Sequence, residues 1–91
     1  MGGDLEIYSN SSLTNLSGLN ALVIVGGRID INNNYALVSL AGLSSLTTLV
    51  QGLSIYSNPS LCDSLAQALR IWLQNHGWSG YANIHDNNNG C

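Results

Sequence analysis

Residues 7–10 read IYSN, and residues 55–58 read IYSN again. Midway between them, residues 31–34 read INNN, so the spacing is 24 residues (31 − 7 and 55 − 31). The match spreads outward from these stretches. Leu5, Ile29 and Leu53 share one column, and Ile7, Ile31 and Ile55 the next. Asn10, Asn34 and Asn58 follow, then Leu13, Leu37 and Leu61. Leu16 aligns with Leu40, Gly18 with Gly42, Leu19 with Leu43 and Leu22 with Leu46; Gly2 and Gly3 fall opposite Gly26 and Gly27. A partial fourth copy runs over residues 82–87. The unit is L-x-I-x-x-N-x-x-L-x-x-L-x-G-L-x-x-L.

A short period with regularly placed Leu and one Asn is the pattern of stacked coils. In L-x-I, residues two apart point to one side of a strand, so Leu5 and Ile7 face inward. Stacking sets equal columns side by side, and the strands become a parallel sheet over one continuous apolar core. The inward positions predicted are Leu5, Ile7, Leu13, Leu16, Leu19 and Leu22, with Ile29, Ile31, Leu37, Leu40, Leu43 and Leu46 in the second copy and Leu53, Ile55, Leu61 and Ile84 beyond it. Asn10, Asn34, Asn58 and Asn87 are expected to turn the chain after each strand and to form a ladder of side-chain hydrogen bonds. Gly18 and Gly42 are expected to need a positive φ or a close backbone approach.

After residue 58 the pattern changes. Leu61, Leu65, Leu69 and Trp72 recur at helical spacing, with Ala68 and Leu73 flanking. Ser60 and Asp63 have the spacing of a capping box, and Gly77 suits the position after a helix end. The reading is a helix at about 62–75 that covers the open end of the core, with a last strand at about 81–85. Trp72 is expected in the core and Trp78 where helix and strand meet. Cys62 and Cys91 allow one intramolecular pairing, which points to an oxidising compartment; two free thiols are the alternative, and neither cysteine has metal or redox spacing.

Composition narrows function more than it names it. Ninety-one residues make one domain, 1–91, with coils at about 3–26, 27–50 and 51–61. Charged residues are only 8%, against roughly 25% in an average soluble domain. There is no Lys, and the two cations are Arg28 and Arg70. That is too few to displace counterions from nucleic acid or to hold an anionic membrane surface. The longest apolar run, residues 21–25, is far short of the ~18 residues of a membrane span. The first residues have neither the basic nor the apolar region of a signal peptide, so secretion requires a leader removed or replaced.

The 24-residue unit, followed by a Cys-bearing helix and a final Cys, resembles receptor L-domain and leucine-rich-repeat-like modules of bacterial surface and secreted proteins. The likeness covers about residues 3–91 and departs from the family in having only about three coils. It implies a short right-handed parallel β-solenoid at the cell surface or outside the cell, used for structure, adhesion or recognition. It supplies no catalytic residue, cofactor or metal site.

Outward positions are the candidate sites. One column holds Glu6, Asp30, Ser54 and Asn83; the other holds Tyr8, Asn32, Tyr56 and His85. Glu6 and Asp30, one coil apart, read as a weak cation site or as a solvated face balanced by Arg28. Tyr8 and Tyr56, with Asn32 and His85 in their column, read as a ligand-binding face for a glycan or protein; strand propensity alone also places tyrosines there. His76, His85 and Asp86 have no nucleophile marked out beside them, so the chain is read as a non-enzyme. Asn10-Ser11-Ser12 and Asn15-Leu16-Ser17 fit glycosylation sequons, and both are read as chance matches, Asn10 because the ladder turns it inward. The function expected is a non-catalytic extracellular structural or adhesive module, with glycan or protein recognition as the alternative. The first residues fall on a repeat boundary, so either the chain belongs to a longer array or residues 1–25 self-associate, as a face-to-face dimer sooner than a head-to-tail filament blocked by the helix.

Overall fold

A computed structural model describes residues 2–91; Met1, which the repeat alignment sets opposite Val25, lies outside them. In chain order the elements are β1 (Leu5–Tyr8), β2 (Ile24–Val25), β3 (Ile29–Asn32), β4 (Thr48–Leu49), β5 (Leu53–Tyr56), α1 (Asp63–Asn75) and β6 (Ala82–His85). Two 3-10 turns, Ser17–Leu19 and Ala41–Leu43, sit in the L-x-G-L stretches. The fold is α/β, with a four-stranded parallel sheet in the order β1-β3-β5-β6 and one helix. β2 and β4 form a second, two-stranded parallel sheet.

The sheet register follows the sequence columns. Leu5 lies opposite Ile29, Ile29 opposite Leu53 and Leu53 opposite Ala82; Ile7, Ile31, Ile55 and Ile84 form the next row. A one-residue slip would turn the apolar set to solvent, so burial of one face fixes this register. Leu5, Ile29, Ile31, Leu53 and Ile55 are buried, together with Leu37, Leu43, Leu46 and Leu61. Each strand of the four-stranded sheet is followed by a left-handed residue, Ser9, Asn33, Ser57 or Asp86, at φ of 55–56°. Asn and Asp tolerate this conformation better than most residues, and here it turns the chain one position before the column asparagine.

That asparagine finishes the corner. The Asn34 amide donates to the Ile7 carbonyl and to Asn58 Oδ1. Asn58 donates to the Ile31 carbonyl and Asn87 Oδ1, and Asn87 to the Ile55 carbonyl. Each Oδ1 also accepts the backbone N–H of the preceding asparagine, as in Asn10 to Asn34 and Asn34 to Asn58. Asn34, Asn58 and Asn87 are buried, and no buried side-chain polar atom among the described residues lacks a partner. Asn10 departs from its inward reading. It is exposed, and its amide donates to the Tyr8 carbonyl and Asn34 Oδ1; among the described residues it reaches no carbonyl of another strand.

Several other expectations are corrected. Gly18 and Gly42 both have negative φ, and only Gly42 is hemmed in: an added Cβ would run into the Leu16 carbonyl. Space around Gly18 is open. Gly42→Ala should therefore cost about 2–3 kcal/mol through overpacking against backbone, and Gly18→Ala close to nothing. Paired urea titrations check this, and equal midpoint shifts in the two variants would contradict it.

The capping box is absent. Cys62 is the N-cap of α1 and makes no side-chain cap bond, while Ser60 Oγ donates to the Tyr35 carbonyl. The N-terminal turn is held instead by main chain, Leu65 N–H to Cys62 O and Asp63 N–H to Asn88 O. Gly77 does follow the helix end, at φ of +93°. The helix buries Ala66, Leu69 and Leu73; of the predicted stripe Leu69 is buried, and Leu65 and Trp72 are exposed. Trp72 is 41% exposed, corrected from core, and its indole donates to the Leu46 carbonyl at 2.6 Å. Trp78 is buried and donates to the Gln51 carbonyl. As the order of helix and last strand in the sequence implies, α1 connects β5 to its parallel neighbour β6, since parallel strands require a crossover.

Cys62 and Cys91 form a disulfide, with Cα atoms 5.6 Å apart and a sequence separation of 29. The last residues are also pinned by Asn88 N–H to Leu61 O and by Asp63 N–H to Asn88 O.

Candidate functional site

The outward face of the main sheet carries the residues singled out from sequence. Register places Tyr8 beside Asn32, Asn32 beside Tyr56 and Tyr56 beside His85. They therefore form one continuous column across four strands. Tyr8, at the β1 edge, is 55% exposed. Asn32 between the tyrosines is buried and donates to Asp30 Oδ1 at 2.8 Å. The Tyr56 and His85 rings stack, with centroids 5.0 Å apart and planes 9° from parallel. His85 Nδ1 lies 2.7 Å from Asp86 Oδ2.

This stacking decides what the column can do. The rings lie face to face along the sheet, like books on a shelf. A sugar binds an aromatic ring through its open face, and the face of Tyr56 toward β6 is covered by His85. The open aromatic surface at the end of the column belongs to Tyr8.

In the neighbouring column Glu6, Asp30, Ser54 and Asn83 are in register. Arg28 lies 3.9 Å from Glu6 and 3.7 Å from Asp4, and its backbone N–H donates to Asp4 Oδ1. Asp30 accepts from the Asn32 amide. Both carboxylates thus have protein partners, and among the described residues no group of three or more acidic, His or Cys side chains gathers as metal ligands would. The ion pairs are half exposed, worth at most a fraction of a kcal/mol each, ~0–1.

His76 and His85 end different elements. His76 follows α1, with Nδ1 2.8 Å from the Trp72 carbonyl and its ring 4.4 Å from the indole. Of the two sequons, Asn10 has its amide engaged by the Tyr8 carbonyl and Asn34 Oδ1. Asn15 is exposed, and its Oδ1 accepts the Ser17 N–H. In the next copy Ser39 Oγ accepts the Ala41 N–H in the same way. A side chain that accepts a backbone N–H thus stands before each 3-10 turn.

One feature escaped the sequence reading. An apolar cleft of about 250 Å³ opens between α1 and the second 3-10 turn, lined by Leu40, Leu43, Leu65, Leu69 and Trp72. Leu65 and Trp72 remain 40% and 41% exposed beside it.

No protein-family model, curated protein or solved structure matches the chain.

Proposed function

We propose that the chain is a short right-handed parallel β-solenoid of the receptor L-domain or leucine-rich-repeat-like kind, serving outside the cell as a non-catalytic structural or adhesive module. The observation that carries this reading is the in-register pairing of sequence-equivalent residues 24 apart, Leu5 with Ile29 and Ile29 with Leu53. Identical side chains in adjacent coils share one environment, and that environment is packing. The polar residues of the unit are consumed by the same stacking: the asparagines bond each other and the neighbouring carbonyls. The disulfide fits an oxidising compartment, and no helix among the described residues is long and apolar enough to cross a membrane.

Recognition through the tyrosine face is the weaker reading, because His85 occupies a face of Tyr56. A panel of immobilised glycans and extracellular-matrix proteins separates the two. The structural reading expects no saturable binding. Saturable binding of a glycan that is lost in both Tyr8→Ala and Tyr56→Ala would overturn it.

A further inference from the structure

The two sequons of the first copy stand differently in the fold. Asn10 commits both hydrogens of its side-chain amide, one to the Tyr8 carbonyl and one to Asn34 Oδ1. Asn15 has only the hydroxyl of exposed Thr14 on its amide, at 3.4 Å, longer than an ordinary bond. The turn uses the other end of this side chain: Oδ1 accepts the Ser17 N–H at 3.0 Å. The second copy shows what the turn itself needs. There Ser39 Oγ accepts the Ala41 N–H at 3.1 Å, so a short side chain with an acceptor oxygen serves at the first position, and the third needs no hydroxyl. The first copy differs at both places, with Asn15 for Ser39 and Ser17 for Ala41, and the two differences together write Asn-x-Ser. Ser17 is exposed, and among the described residues its hydroxyl bonds nothing. Ser39 and Ala41 remain half-buried and exposed with the first 3-10 turn packed against theirs, so this corner opens outward whatever precedes the first copy. Main-chain bonds hold the corner still, from Val38 N–H to Thr14 O and from Leu19 N–H to Leu16 O.

Resting on the extracellular placement proposed above, and against the sequence reading of both sequons as chance, we propose that Asn15 carries an N-linked glycan and that Asn10 does not. In the attachment Asn15 Nδ2 bonds C1 of an oligosaccharide, and the C1–O bond to a lipid diphosphate donor breaks. The lipid diphosphate leaves, and the proton lost from Nδ2 passes to a base of the transferring enzyme. Oδ1 takes no part in the new bond, so the Ser17 N–H keeps its acceptor and the turn is undisturbed. At Asn10 the same reaction removes one of two hydrogens that are both in use and sets a bulky sugar against the Asn34 side chain. On Asn15 the sugar adds hydrated surface to a chain whose charged residues are only 8%.

The test sends the whole chain, behind a secretion leader, through the secretory pathway of a eukaryotic cell and weighs the product intact by mass spectrometry. Two variants go with it. Ser17→Ala puts the second copy's residue in the first and destroys one sequon while the Asn15 turn bond stays. Ser12→Ala destroys the other at an exposed position and leaves the Asn10 amide in place. The expected result is one oligosaccharide per chain on the native protein and on Ser12→Ala, and none on Ser17→Ala, which should melt with the unglycosylated fold intact. A native chain secreted with its Cys62–Cys91 bond but without a sugar overturns this proposal and leaves the extracellular reading standing. A sugar on Ser17→Ala places a glycan on Asn10 and overturns it as well. A chain retained in the cell with both thiols free overturns the extracellular reading and this proposal together.

Discussion

Asn58→Ala is expected to lose about 3–5 kcal/mol of stability, most of what a domain of this size has to spare. The residue is completely buried. Its amide donates to the Ile31 carbonyl at 3.1 Å, to the Tyr56 carbonyl at 2.9 Å and to Asn87 Oδ1 at 3.1 Å. Its Oδ1 accepts from the backbone and side-chain nitrogens of Asn34, both at 3.1 Å. Truncation strands a carbonyl and an N–H where water does not reach, each costing about 1–3 kcal/mol. Asn10→Ala is the control. Asn10 is exposed, water can replace its bonds, and the loss should stay near or below about 1 kcal/mol. Asn58→Asp keeps the accepting oxygen and loses both donors, so it should fail as Ala does. Urea midpoints at constant slope measure all three. A stable Asn58→Asp would show that shape, not the paired donors, holds the corner.

Opening the Cys62–Cys91 bond is expected to cost about 3–4 kcal/mol, from the chain entropy released to a loop of this length. For a domain near 90 residues that lowers the melting temperature by on the order of 20 °C. The effect should be local first. β6 is an edge strand, and residues beyond it are held by the Asn87 side chain and two main-chain bonds, to Leu61 and Asp63. Reduction should therefore speed amide exchange in β6 before it touches β3, which lies between two strands. The double variant Cys62→Ser with Cys91→Ser gives the same comparison without stray thiols. A melting temperature unmoved by reductant would mean that packing of α1 and β6 alone secures the end.

The sheet was legible because equal residues in a parallel stack face equal surroundings, so Leu5, Ile29 and Leu53 or Asn34 and Asn58 announce one another at a fixed spacing. The disulfide and the span of α1 were legible for simpler reasons, two cysteines and one helical period. The buried side of α1 was not. Leu65, Leu69 and Trp72 make one stripe and Ala66, Leu69 and Leu73 another, and they share Leu69. Only the packed core selects between them, taking Ala66, Leu69 and Leu73 and leaving Trp72 to bond the Leu46 carbonyl at the rim. β2 and β4 escaped because two-residue strands have no period to detect, though Val25 and Leu49 are both buried. The left-handed residue before each asparagine escaped because Ser9 and Ser57 are not residues that advertise a positive φ. On the outward face the columns were legible, but the Tyr56–His85 stack depends on side-chain rotation, which spacing does not carry.

The apolar core and the asparagine ladder both depend on segments 24 residues apart lying side by side, parallel and in register. Scalar couplings across hydrogen bonds, measured by NMR on labelled protein, read that arrangement directly. The bonds to look for run from the Leu5 nitrogen to the Arg28 carbonyl, from Ile29 to Gly52 and from Leu53 to Tyr81, at 2.8, 3.0 and 2.9 Å. Couplings at all three pairs are the predicted result. Their absence, or close contacts between the α-protons of facing residues in β1, β3 and β5 as antiparallel strands give, would contradict the stack.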